Sequence, residues 1–252
     1  MRSELGWAQR ANNPAPEAAP PSASSYPPAP SGRLDHALPD HPVAAARASL
    51  FFLDIIRTDA LPAERQAKEL QTQARRLPQL SQSRQADGFN LMLAMSGKLP
   101  VDQQAPVLAA LAPRLRTLKA RAQRTGFAAL ATSIARLPQA NRAAALPALA
   151  RALPSSGRDA SQFHAVRAMT QSLDAGSQGR ALPGLIRHIG VLPQAQRKAA
   201  FDAVAQQAER LPPIQQRNAL LGLAGKIGRL PADQQAPATV RLQQQAKSLL
   251  QG

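Results

Sequence analysis

Four phenylalanines, Phe89, Phe127, Phe163 and Phe201, stand 38, 36 and 38 residues apart. Leu-Pro pairs run between them, at Leu61-Pro62, Leu77-Pro78, Leu99-Pro100, Leu137-Pro138, Leu153-Pro154, Leu192-Pro193, Leu211-Pro212 and Leu230-Pro231. Alternate marks at Leu61, Leu99, Leu137, Leu173 and Leu211 keep the same interval. Leu173 holds its place without a proline, as Leu118 does in the intervening series. A fixed period of this length is the mark of stacked units, none of which can bury its apolar face alone.

The pairs divide the chain into units starting at 61, 77, 99, 118, 137, 153, 173, 192, 211 and 230. Each is long enough for one helix of three to four turns and a turn. Proline disfavours helix in the residue before it, so it stops one helix, and it then serves the next within its first turn. Apolar positions inside a unit fall at helical spacing, as in Phe201, Val204 and Ala208. Ala and Leu supply most of the 44% apolar residues and aromatics only 3%, a mixture that favours close-packed helices over sheets. Two units make an antiparallel pair. The octet from Leu99 to Pro106 returns from Leu230 to Pro237 with seven of eight residues kept, which argues for repeat duplication.

Residues 1–41 read as a disordered Pro- and Ser-rich leader, with too little apolar area to offset the entropy of ordering. Either a docking or export signal or a solvated linker fits that composition. The repeat domain is expected over 42–252, with 42–58 as an N-terminal cap helix and the repeats over 61–252. Leu50, Phe51, Phe52, Leu53, Ile55 and Ile56 make that first helix apolar on more than one face, so it is expected to be covered on two sides; a membrane-surface helix is the weaker alternative. The more polar last unit reads as an end cap. No window approaches a transmembrane span, and the chain has no cysteine.

The formal charge of +16 is uneven: residues 99–252 hold 20 Lys/Arg against 6 Asp/Glu. Such a field attracts nucleic acid, anionic lipid or an acidic protein face. Arg76, Lys98, Arg136, Arg151, Arg210 and Arg229 fall in the last turns of expected helices, where a cation meets unpaired carbonyls and needs no ligand. Arg65, Arg84, Arg124, Arg142, Arg158, Arg197 and Arg217 fall four to seven residues after a unit start, where the dipole has the wrong sign. They form either a ladder between repeats or a row facing a ligand. The sharpest binding candidates are Arg114, Arg116, Lys119, Arg121 and Arg124. On a helical wheel they flank the stripe Leu111, Leu115, Leu118 and Ala122, so one helix would bury the stripe and present a basic face, solvated or occupied.

Chemistry is not signalled. His36, His41, His164 and His188 make no metal-spaced pair, no Gly-rich phosphate loop is present, and the carboxylates are scattered. Asp159 and Asp174 read as helix-start or turn residues. No catalytic residue, metal or cofactor is expected.

The Leu-Pro starts, the Phe positions and the recurrent arginines over 61–249 make the chain resemble the α-solenoid families, HEAT and armadillo repeats, and more loosely octotricopeptide-type repeats. The expected fold is all-α: a right-handed α-solenoid of about five antiparallel pairs of ~38 residues. A Pro/Ser-rich leader before an Ala-, Leu-, Arg- and Gln-rich body without Cys also resembles type III secreted effectors of Gram-negative pathogens. That resemblance implies a non-enzymatic effector, exported through its leader into a host cell, that binds a host protein with an acidic surface; a secretion chaperone is a further partner it admits. The alternative is an RNA- or nucleic-acid-binding α-solenoid using the basic face, and a plainer one a scaffold in the bacterial cytoplasm.

Overall fold

A computed structural model describes residues 42–154 and 160–251. They form eleven α-helices: α1 (Pro42–Thr58), α2 (Ala63–Arg76), α3 (Gln82–Ser96), α4 (Val101–Leu111), α5 (Ala120–Ala135), α6 (Gln139–Arg151), α7 (Ser161–Gln171), α8 (Ala175–Ile189), α9 (Gln194–Ala208), α10 (Pro213–Ala224) and α11 (Ala232–Gln251). Three 3-10 turns, Leu77–Gln79, Ala112–Thr117 and Ile227–Arg229, follow α2, α4 and α10. No strand occurs among the described residues, so the all-α expectation holds. The leader, with its expected disorder and export signal, lies outside them.

Every extensive helix contact joins helices one or two apart in the chain. Consecutive helices pack as pairs, and α2, α4, α6, α8 and α10 stack on one another as a continuous layer. Small residues let that layer close up. A Cβ added to Gly184 in α8 would stand 2.7 Å from the Ala150 carbonyl carbon of α6, a distance real side chains do not tolerate. The odd-numbered helices touch one another less.

A phenylalanine joins α1 to α3 and another joins α3 to α5. Phe89, Phe127, Phe163 and Phe201 are all buried. A Cβ on Gly126 would meet the Phe89 ring at 3.1 Å and Leu115 at 3.2 Å. One repeat earlier, a Cβ on Gly88 would meet the Phe51 ring and Leu77, both at 2.9 Å. The Phe51 and Phe89 rings are therefore pegs, each seated on the glycine that precedes the next phenylalanine, against a leucine from the end of an even helix. Phe51 stands 38 residues before Phe89 and continues the series that the sequence reading began at Phe89. That makes α1 the first odd helix by its packing. Only one of its faces is covered, by way of Ala48, Phe51, Ile55 and Thr58. Val43, Leu50, Leu53 and Ile56 stay between 47% and 62% exposed, against the expectation of cover on two sides.

The Leu-Pro pairs prove to be of two kinds. At Leu61, Leu99, Leu137, Leu192, Leu211 and Leu230 the pair opens a helix, with the proline extended at the N-cap position or just ahead of the helix rather than within its first turn. Leu77 is instead buried at the end of α2, and α3 starts only after Leu80 and Ser81. Leu153 likewise follows the end of α6, and α7 begins at Ser161. Units at 77 and 153 are corrected accordingly, because these leucines close an even helix and match Leu115, Ile189 and Ile227 in period.

Most helix starts lack an N-cap side-chain bond; Asp174 is the exception, its Oδ1 accepting from the Ser177 N–H at 2.9 Å. In place of a cap, a residue five positions after the leading leucine reaches back to that leucine's carbonyl. Gln85 Nε2 donates to Leu80 at 2.9 Å, Gln104 to Leu99 at 2.8 Å, Gln178 to Leu173 at 2.8 Å and Gln235 to Leu230 at 3.1 Å. Arg197 Nε does the same to Leu192 at 2.8 Å. Each such bond contributes about 1 kcal/mol net and pins the corner where one helix turns into the next. The duplicated octet supplies this clamp to α4 and α11 alike, so one sequence serves both layers.

Candidate basic interface

Antiparallel pairing puts the end of each even helix and the start of the next odd helix along one edge of the array. In the central repeats that edge carries Arg114, Arg116, Lys119, Arg121, Arg151, Arg187, Arg197 and Lys198. Asp59, Glu64, Asp102, Asp174 and Glu209 belong to the opposite edge, together with Lys98, Arg136, Arg142 and Arg210. Ion pairs among the described residues join Arg76 to Asp54, Lys98 to Asp59, Lys198 to Asp202, and Arg241 to both Asp202 and Glu209. No described cation between 114 and 187 has a carboxylate within 4.0 Å.

Arg116, Arg151 and Arg187, from three successive repeats, line one open hollow of about 450 Å³. Its floor is Ala109, Ala110, Pro113, Ala144, Ala148 and Ala152, short side chains that leave room beneath the guanidinium groups. All three arginines are exposed. The Arg151 carbonyl, freed at the end of α6, accepts from Arg116 Nη2 of the repeat before and from the His188 imidazole of the repeat after. Arg116 thus has its position fixed by a helix end, while the Arg151 and Arg187 side chains keep their donors for another molecule.

His188 reads the field at this edge. Its imidazole is buried and Nε2 has no partner. Burial, first, and then the positive charges of Arg116, Arg187 and Lys226 hold it below the ordinary histidine range, although the bond to Arg151 works the other way. Three cations near one buried ring, with no carboxylate within ion-pair distance of Arg116 or Arg187, make this a place that attracts an incoming anion.

The residues proposed from the sequence are dispersed by the fold. Arg114 to Arg124 do not share one helix: α4 stops at Leu111, Arg114 and Arg116 lie in the 3-10 turn, Lys119 is the N-cap residue of α5, and Arg121 and Arg124 lie within α5. The alanine and proline at 112 and 113 and the extended Leu118 break the helix that the wheel assumed. Leu111, Leu115 and Leu118 are buried as expected, and Ala122 is half-buried. Of the recurrent arginines, Arg197 is a rung between repeats, with Nη1 donating to the Arg229 carbonyl at 2.9 Å. Arg142 is half-buried, Arg217 borders an apolar groove at the C-terminal end, and Arg158 lies outside the described residues. They form no single row, because the recurrent position is the Gln or Arg clamp at the fifth residue. Arg151, set aside as a helix-end cation, belongs to the hollow; its spacing of 36 residues from Arg187 was the available signal.

Among the described residues no group of three or more His, Cys, Asp or Glu is close enough to hold a metal, and no helix is long and apolar enough to cross a membrane. Compared with protein families, curated proteins and solved structures, the chain gives no match.

The lowered His188 pKa has a stability consequence with a definite sign. The unfolded chain binds this proton more readily than the folded one, so the contribution is complete above the unfolded pKa near 6.5 and is lost as pH falls through the folded value. Thermal melts between pH 7.5 and pH 5 should show a falling Tm that His188→Gln flattens; an equal slope in the variant would refute the assignment.

Proposed function

We propose that this chain is a non-enzymatic interaction scaffold that holds an acidic protein surface along its basic edge, with Arg116, Arg151 and Arg187 as the central grip. The observation that carries it is the convergence of these three arginines, one from each of three successive repeats, on one alanine-floored hollow with no carboxylate partner. Carboxylates on a partner suit guanidinium donors in bidentate geometry. The architecture that goes with this reading is the right-handed α-solenoid of about five helix pairs, supported by the tight even layer and the sparser odd one. Nucleic acid is the competing occupant, and it lacks here the exposed aromatic platforms that single strands use, since the repeat phenylalanines are buried.

The test is affinity capture from lysate with and without nuclease, using the full chain and an Arg151→Glu/Arg187→Glu variant. Both positions are exposed, so the melt should be unchanged. A nuclease-resistant protein partner, recovered at least about tenfold less well by the variant, is expected. Capture that disappears with nuclease would replace this reading with RNA binding, and full capture by the variant would remove the edge as the interface.

The second part of the proposal is that the scaffold is a type III-like effector delivered into a host cell, on the strength of the Pro/Ser-rich composition of residues 1–41. A chain lacking residues 1–40 should fold normally and fail to be exported by a type III-competent bacterium; normal export would end that part.

A further inference from the structure

At the C-terminal end of the array α10 and α11 leave an apolar groove of about 380 Å³ between them, lined by Leu220, Leu221, Ala224, Ile227, Leu242 and Leu249. Most of its residues occupy positions that interior repeats bury against the next pair; Leu221 is an exception, its counterpart Pro183 being exposed. Ile186 of α8, 4% exposed, is covered beside Gly222 of α10, where an added Cβ would meet it at 3.3 Å. Its counterpart 38 residues on, Ala224, is exposed. Ala205 and Ala208 of α9 are fully buried, and their counterparts in α11, Gln243 and Ala246, are exposed. Leu221 is 67% exposed. The groove therefore has the shape and chemistry of a surface on which helices pack in earlier repeats, and no described residue covers it.

Charge says what kind of helix fits. Arg217 lines the groove, and Lys226 and Lys247 adjoin Ile227 and Ala246 of its wall. From 213 onward the chain has one carboxylate, Asp233, at the start of α11. A second copy offering α1 would bring Arg47 and Arg57 beside these cations, and the α1 carboxylate, Asp54, is paired with Arg76. We infer that the α10–α11 groove binds an amphipathic helix of another polypeptide, with an apolar stripe flanked by Asp and Glu. The stripe takes the place that the next helix pair takes in earlier repeats, and the flanking carboxylates meet Arg217, Lys226 and Lys247. This site is separate from the arginine hollow of the central repeats.

The probe is a fluorescein-labelled synthetic helix of about 18 residues, with Leu at i, i+3, i+4 and i+7 spacing and Glu on both flanks. A twin carries Lys in place of Glu and another is scrambled. Saturable anisotropy binding of the Glu peptide to the full chain is expected, at least about tenfold tighter than either twin. Leu221→Glu should weaken it by a similar factor with no change in the melt, because Leu221 is exposed, while Arg151→Glu/Arg187→Glu should leave it intact. No saturable binding, equal binding of the scrambled peptide, or a Leu221→Glu variant that binds normally would overturn the inference. So would concentration-dependent self-association in sedimentation that Leu221→Glu abolishes, which would make a second copy the occupant.

Discussion

The contact on which this architecture rests is an aromatic ring set over a residue with little or no side chain. Phe51 lies on Gly88 and Phe89 on Gly126, each beside a leucine that closes an even helix. Burying a phenylalanine contributes roughly 1.5–3 kcal/mol, and here the gain is realised only when the next helix pair is present to receive the ring. That couples each pair to its neighbour and to nothing more distant, the energetic form of a one-dimensional array. The Gly184–Ala150 approach does the corresponding work in the even layer, where small side chains rather than large ones bring the helices together.

Stacking of this kind also sorts charge. A cation placed at the end of every even helix for local reasons, near unpaired carbonyls, is brought beside its counterparts from the adjacent repeats. Arg116 caps the carbonyl of Arg151, and the side chains of Arg151 and Arg187 then share one hollow. Carboxylates, set at the other ends of the helices, gather along the opposite edge and in the first and last repeats, where the ion pairs among the described residues lie. A weak preference repeated at a fixed interval thereby brings Arg116, Arg151 and Arg187 to one hollow, beside the buried His188.

Much of the fold was legible because a period is a global constraint that survives local ambiguity. The even-series leucines at 61, 99, 137, 173 and 211 open helices as read. The errors came from treating every Leu-Pro pair as equivalent. Leu77 and Leu153 share the dipeptide but sit at the closing end of an even helix, and only their spacing to Leu115 and Ile189 distinguishes them. Phe51 was overlooked for a related reason: it lies in so apolar a run that its place in the series is masked by Leu50 and Phe52. The site was less legible. Whether Arg114 and Arg121 share a helix depends on the break at 112–118, and that Arg116, Arg151 and Arg187 meet depends on how tightly the even layer packs. Neither is visible in a single helical wheel. The glutamine clamps were missed because glutamine has no charge to draw the eye, although its recurrence five residues after most leading leucines, with Arg142 and Arg197 in its place after Leu137 and Leu192, is plain in the sequence.

Hydrogen exchange on Phe127→Ala, followed by mass spectrometry, bears on the nearest-neighbour account most directly. Loss of this buried ring costs about 3–5 kcal/mol, so protection should fall in α3 to α7 while α9, α10 and α11 keep theirs. A uniform loss of protection from α1 to α11 would mean that the helices share one indivisible core, and the account of a repeat-by-repeat stack would be wrong.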